Sequence, residues 1–446
     1  MESALPDNNA RSARRDRSIR LAVVTSFLSK AGTLLFQLIA LPVAMRVLGR
    51  EDFGVYATVS IALSIVILLE IGVGPALAHG ISSAKAQESE DRVGSLTSSA
   101  FFLVLGMALL VGVVLSGMLL VTPLPWLFGD GFAGKEAVLR PALWTGLALL
   151  VMLFVLNLTD RIREGLLQVS ANNTWGALGN VIAAVVVAAG IGFVPQVWFL
   201  VLAVYGSLVI AKVCNTVALW RAHPEVRPAW TRFRPTVARH LLTDGVAFSA
   251  CTLVTGIVEF NLCGLLVGRQ DGPAATALYQ VFISITVMQL GVVMMLSTPT
   301  WPAVAEALAR GDVPWAKKAA RKLYLFGSAF GVCAFIGLVL LGPWVFSVWL
   351  GKDFSDVPRL MFACYGLYFI AHVWRHLNHA LMFGTGQVGK LARVQLIESA
   401  VVAAVAVVAL KWGGIGPMLA AMGVTILAVT GIVLPRIVAR GLAEAR

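Results

Sequence analysis

Charge is scarce in this chain: 35 Lys and Arg stand against 23 Asp and Glu in 446 residues, 13% in all. So few charges cannot coat one soluble domain of that length. With 58% of residues hydrophobic and a mean hydropathy of +0.84, the solvent has to be lipid. Cysteine is scarce too. Cys214, Cys251, Cys263, Cys333 and Cys364 all fall in apolar stretches without C-x-x-C spacing, so they read as small core residues rather than a disulfide framework or metal site. Catalytic signatures are missing as well. No complete Walker loop, H-E-x-x-H or Gly-x-Ser-x-Gly elbow occurs. The polar segments expected outside the membrane are short, so no cofactor, metal or catalytic residue is expected.

What the chain does have is long apolar runs. A membrane-spanning helix needs roughly 20 mostly apolar residues. Such runs lie near 19 to 47, 53 to 79, 95 to 122, 138 to 159, 173 to 194 and 196 to 220, then near 240 to 267, 273 to 300, 322 to 350, 357 to 383, 390 to 411 and 414 to 438. They are continuously apolar rather than alternating, which favours helices over a barrel. The expected fold is an all-α integral membrane protein of about twelve transmembrane helices.

The chain also looks duplicated. Leu48 to Tyr56 read L-G-R-E-D-F-G-V-Y and Val267 to Tyr279 read V-G-R-Q-D-G-P-A-A-T-A-L-Y, placing a Gly-Arg-x-Asp tetrad after two different apolar runs at a shift of 219 residues. The same shift sets Gln168 on Gln387 and Val169 on Val388. Six spans per half is an even number, so both halves enter from one face and the repeat is parallel. The expected domains are a basic N-terminus over 1–18, a first lobe over 19–220, a linker over 221–239, a second lobe over 240–438 and a tail over 439–446. Two related bundles suit a carrier that alternates access.

The net charge of +12 and pI near 9.8 need no nucleic-acid partner. Most Lys and Arg fall on one side of the expected spans, including Arg11, Arg14, Arg15, Arg17 and Arg20 at the start and Arg221, Arg227, Arg232, Arg234 and Arg239 in the linker. The positive-inside rule then puts both termini in the cytoplasm. The linker's Arg, Pro and Trp suit an anionic leaflet, or serve only as a topology signal. Pro302 to Lys322 reads as an interfacial amphipathic element.

Ionisable groups inside spans are costly and call for a partner or a role. Lys30, Lys212 and Arg375 are the cations; Glu70, Glu259 and Glu398 are the anions. Pairing that neutralises them inside the bundle is one reading. The tenth span carries His372, Arg375, His376 and His379 at i, i+3, i+4 and i+7, one helical face. Such a stripe either lines a hydrated cavity and binds an anionic phosphate, with Arg375 supplying fork-like donors, or is structural, with Arg375 snorkelling or pairing with Glu398. Trp374, Tyr365, Tyr368, Trp144, Trp175 and Tyr279 suit stacking on sugars, or belong to the aromatic belts.

The loop R-V-L-G-R-E-D-F-G-V-Y-A at Arg46 to Ala57, the stretch R-E-G-L-L-Q at Arg163 to Gln168 and the plan of six plus six spans resemble the polysaccharide flippases. These O-antigen and exopolysaccharide exporters, which serve lipopolysaccharide and other surface glycans, belong to the multidrug/oligosaccharidyl-lipid/polysaccharide exporter superfamily. The resemblance implies translocation of an undecaprenyl-pyrophosphate-linked oligosaccharide across the bacterial inner membrane. Its expected partners are that substrate, membrane lipids, a polysaccharide polymerase and a chain-length regulator. On this reading Arg375, with Lys30, Lys212 and the three histidines, holds the pyrophosphate, and Glu70, Glu259 or Glu398 pairs with the cations or carries a coupling proton or sodium ion. A cation-coupled multidrug antiporter, a lipid II flippase and a membrane enzyme of glycan assembly using the histidines as base remain open beside it.

Overall fold

A backbone in hydrocarbon has to satisfy its N–H and C=O groups within its own segment, and among the described residues the long apolar runs are helical, with no strand. The structure, a computed structural model, describes Thr25 and residues 31–67, 73–249 and 256–444. The helices longer than one or two turns are α1 (Leu41–Ile67), α2 (Val73–Ala86), α3 (Glu90–Val121), α4 (Glu136–Leu156), α5 (Leu158–Gly165), α6 (Val169–Gly190), α7 (Val197–Ala222) and α8 (Pro235–Ser249). They continue as α9 (Cys263–Asp271), α10 (Pro273–Ala309), α11 (Val313–Trp349), α12 (Arg359–Gly384), α13 (Val388–Gly413) and α14 (Ile415–Glu444). Two π-helical segments, Phe36–Ala40 and Gly256–Leu262, precede α1 and α9.

Among the described residues nine helical runs are long and apolar enough to cross a membrane. One of them, Ala31–Ile67, joins parts of the first two expected spans across Gly49, where φ 77° and ψ 172° kink the run. The tenth span is helical throughout as α12, but its histidines, arginine and asparagine keep it out of the apolar set. The seventh is interrupted by 250–255, which lie outside the described residues.

One expectation changes. The stretch from Pro302 to Lys322 is no separate interfacial element, because α10 runs through Pro302 to Ala309 and α11 starts at Val313, after a turn in which Gly311 takes φ 78°. Asp312 caps α11 by accepting from the Trp315 N–H at 3.1 Å, so Lys317 to Lys322 are simply the first turns of a long helix. The string Gly384-Thr-Gly386-Gln-Val-Gly389 has dinucleotide-turn spacing, yet it joins α12 to α13 with no strand before it. Leu391 also stands where a Walker loop needs Ser or Thr, so the string is a helix stop and not a phosphate cradle.

The duplication is written in the turns, in a different register from the tetrad. Gly49 (φ 77°, ψ 172°) is matched by Gly272 (φ 81°, ψ −175°), and Gly129 (φ 102°, ψ 161°) by Gly351 (φ 101°, ψ −176°). Glu88 and Leu167, the two positive-φ residues that are not glycine among the described residues, correspond to Gly311 and Gly386. The shift is therefore 223 residues at the first two turns, 222 at the next and 219 only at the last. The Gly-Arg-x-Asp match is displaced by four residues, about one helical turn, which preserves the apolar pattern and so misleads.

By internal contacts the chain forms two units. The first takes the described residues of Met1–Val47, Val66–Thr122 and Ala137–Ser249; the second takes those of Leu48–Ile65, Pro123–Glu136 and Ala250–Arg446. In the first unit Val73, Leu77, Ile81 and Ala84 lie along one face of α2 and meet Val93, Ala100 and Val104 of α3 in a buried core with Phe154 and Ile162. In the second, α12 is central. Its Tyr365 stacks on Phe282 of α10 at 4.5 Å, and Phe362 meets Phe346 of α11 edge-on at 4.7 Å. α14 approaches α12 so closely that a Cβ at Gly423 would lie 2.9 Å from the Tyr368 backbone.

Candidate functional site

Burial without partners is what a guanidinium avoids most, and in the second unit α12 buries Arg375 to 2% exposure. The compensation comes from two other helical segments. Arg375 Nη2 donates to Glu259 Oε2 at 2.9 Å and Nη1 donates to Glu259 Oε1, a bidentate fork; Nη1 also donates to Glu398 Oε1 at 2.6 Å. Glu259 comes from the π-helical segment Gly256–Leu262, in which the wider turn sets a side chain off the usual register, and Glu398 from α13. Both carboxylates are fully buried.

A second ring of groups fixes the first. The Tyr368 hydroxyl donates to Glu259 Oε2 at 2.9 Å, and the Tyr279 hydroxyl donates to the Glu259 carbonyl. His372 Nδ1 lies 3.1 Å from Arg375 Nη2; since a guanidinium only donates, the geometry assigns Nδ1 as acceptor and the ring proton to Nε2. The ring stacks on Tyr368 with centroids 5.7 Å apart. His376 Nε2 meets Ser297 Oγ at 2.9 Å, and His379 Nδ1 lies 3.5 Å from Gln395 Nε2. One cation thus faces two carboxylates. His372 Nε2 is buried here without a protein hydrogen-bond partner, and Glu398 meets Arg375 through Oε1 alone.

The sequence-predicted residues do not all meet. Arg375, His372, Glu259 and Glu398 do, with His376 and His379 farther along the same helix. Lys212 belongs to the first unit, where its ammonium reaches Asp160 at 2.6 Å. Lys30 and Glu70 lie outside the described residues. Tyr279, Tyr365 and Tyr368, read as sugar platforms or belt residues, are fully buried, and two of them serve Glu259 through their hydroxyls.

Asp160 was missed. It falls one residue past the expected end of the fourth span, and the signal that pointed to it was Lys212, an intramembrane cation in need of an acid. Around that pair Asn215 donates to Asp160 Oδ1 at 3.5 Å, while Arg163 donates to Asn215 Oδ1 at 2.7 Å and to Gln168 Oε1 at 2.7 Å. Among the described residues no group of three His, Cys, Asp or Glu could hold a metal ion.

A family model described as "Polysaccharide biosynthesis protein" matches residues 22–308. The chain belongs to that family. Among solved structures this family member is similar to an inward-facing multidrug resistance MATE family transporter of the MOP superfamily, with TM-score 0.71 and 13% identity over 95% of each chain. It is also similar to a MOP superfamily transporter from Pyrococcus furiosus whose binding pocket is described as having reversed polarity, with TM-score 0.66 and 14% identity over 97% of this chain and 96% of that one. A third likeness is to an outward-facing multidrug resistance MATE family transporter, with TM-score 0.63 and 14% identity over 97% of both chains. At such identities the likeness is one of fold. No curated protein sequence matches the chain. The protein is a multi-pass membrane protein of polysaccharide biosynthesis with the fold of MOP superfamily transporters.

Proposed function

We propose that the protein is a flippase that carries an undecaprenyl-pyrophosphate-linked oligosaccharide from the cytoplasmic to the outer leaflet of the bacterial inner membrane, for surface polysaccharide such as O-antigen or exopolysaccharide. The observation that carries this reading is the match of residues 22–308 to a polysaccharide biosynthesis family on a transporter fold. The glycan cannot cross hydrocarbon, so the protein shields sugar and pyrophosphate while the polyprenyl tail stays in lipid. Relatives of the fold solved inward-facing and outward-facing support alternating access as the means. Both termini are cytoplasmic on this reading, and a polymerase and chain-length regulator act on the exported product. It is a transporter and not an enzyme.

Arg375 is the group we assign to the pyrophosphate. A phosphate edge fits the planar fork as the Glu259 carboxylate does, so anion binding exchanges one bidentate partner for another. The released carboxylate, Glu259 or Glu398, takes the coupling proton or sodium ion, and Glu398, which Arg375 holds through one oxygen alone, supports that role. His372, His376, His379, Lys212 and Lys30 are the remaining anion-binding candidates, and Glu70 is a further acid.

Deleting the gene separates this reading from drug antiport. The expected outcome is loss of surface polysaccharide, accumulation of lipid-linked glycan on the cytoplasmic face and unchanged drug susceptibility. Drug sensitivity with normal surface polysaccharide would replace flippase by antiporter.

A further inference from the structure

The linker between α7 and α8 does more than connect. It folds back on the start of α3, with the Ala229 N–H donating to Ser98 Oγ at 3.1 Å and the Arg234 N–H donating to Ser99 Oγ at 3.0 Å, both serines fully buried. Arg232 crosses Gly94, where a Cβ would stand 2.7 Å from its Nη1, so the guanidinium lies flat on α3. This seam holds two aromatic rings in place. Trp230 and Phe233 stack at 5.2 Å and 7°, and both meet Phe102 of α3 edge-on, at 4.7 and 6.1 Å.

Beside these rings runs a groove of about 540 Å³, floored by Phe102, Gly106, Leu109 and Leu110 of α3 and ended by Trp230 and Phe233. It is built to stay apolar and open: Trp230 is 69% exposed and Leu110 65%. The rings are flanked by charge of one sign. Arg227, Arg232 and Arg234 are all exposed, and their donors go to carbonyls, those of Trp220, Glu225, Thr231 and Phe233, rather than to carboxylates. The linker's acid, Glu225, is engaged by His223 at 3.1 Å and Lys85 at 3.9 Å.

An apolar groove ended by an aromatic pair whose neighbours along the linker are exposed arginines has the two halves of a lipid in the right order. We infer that this corner is a binding site for one anionic phospholipid, with an acyl chain in the groove against Trp230 and Phe233 and the phosphate on Arg232 and Arg234. Ordinary annular lipid would need only the apolar floor; the arginines of the docked linker are what select for negative charge. The interfacial tryptophan marks the depth of the headgroup. The site lies within the first unit and is independent of the Arg375 cluster.

The test measures lipid retained by the full-length protein after exchange into detergent containing equal phosphatidylglycerol and phosphatidylcholine, quantified by mass spectrometry of the extract. Wild type should retain phosphatidylglycerol about fivefold over phosphatidylcholine at low salt. That preference should collapse at about 1 M salt, where the screening length falls to ~3 Å. R232Q/R234Q should bring it near parity, W230A/F233A should reduce retention of both lipids, and K317Q/K318Q should leave it unchanged. Equal retention of the two lipids by wild type, or wild-type selectivity in R232Q/R234Q, overturns the site. The salt arm uses wild type alone, so misfolding of a variant does not protect the proposal.

Discussion

Arg375 and Glu259 meet through both terminal guanidinium nitrogens and both carboxylate oxygens, with side chains 2% and 1% exposed. Removing one partner of so deeply buried a pair typically costs about 3–5 kcal/mol, because the other is left as an unpaired charge. Arg375→Ala should therefore lower the apparent unfolding temperature of the detergent-purified protein sharply. Arg375→Lys, which keeps the charge and loses the fork, should fall between it and wild type. Adding Glu259→Gln to Arg375→Ala should recover part of the loss.

Lys212 and Asp160 are a different kind of pair. At 2.6 Å they are as close as Arg375 and Glu398, yet their side chains are 21% and 33% exposed. Polar groups within a bilayer find other partners when one is removed, as Asn215 stands ready to do here, so a double-mutant cycle of Lys212→Met and Asp160→Asn should measure a coupling of about 1 kcal/mol or less. A cycle of Arg375→Met and Glu398→Gln should give the larger value.

Leu167 occupies the left-handed region at φ 60° where the second half has Gly386 at φ 72°. A side chain there costs roughly 1–2 kcal/mol. Leu167→Gly should raise the apparent unfolding temperature, and Gly386→Leu should lower it; the two variants measured side by side check the sign.

Glu225 fastens the linker. Burial pushes its carboxyl up, but its own backbone N–H, His223 and Lys85 outweigh that and hold it below the usual carboxylate range. A folded value below the unfolded one means that its contribution is present above the unfolded pKa, roughly 4.3, and is lost as pH falls through the folded value. Glu225→Gln should therefore lower stability at neutral pH, leave it little changed below the folded value, and so flatten the acid limb of the stability–pH curve.

The helices and the stripe on α12 were legible because both rest on local spacing: apolar length for the first, i to i+7 for the second. Of the two partners of Arg375, Glu398 was named as one alternative, whereas Glu259 was legible only as one of the intramembrane acids. Which acid reaches it depends on the π-helical turn that carries Glu259, and no residue in Gly256–Leu262 announces such a turn. The repeat was visible but misaligned, since helical sequences match after a slip of one turn, whereas the positive-φ residues that fix the register show only in the backbone. Glu88 and Leu167 hide two of those four turns because neither is glycine. Asp160 went unseen because span ends are the least sharply marked part of an apolar run.

The most direct test of the central claim is leaflet transfer. The purified protein is reconstituted with undecaprenyl-pyrophosphate-linked oligosaccharide, and the glycan reaching the opposite leaflet is scored by its accessibility to an impermeant glycosidase. The flippase reading predicts protein-dependent transfer that Arg375→Ala slows by about tenfold or more at equal reconstitution. Vesicles in which wild type leaves the glycan in its original leaflet while moving a cationic dye would contradict it.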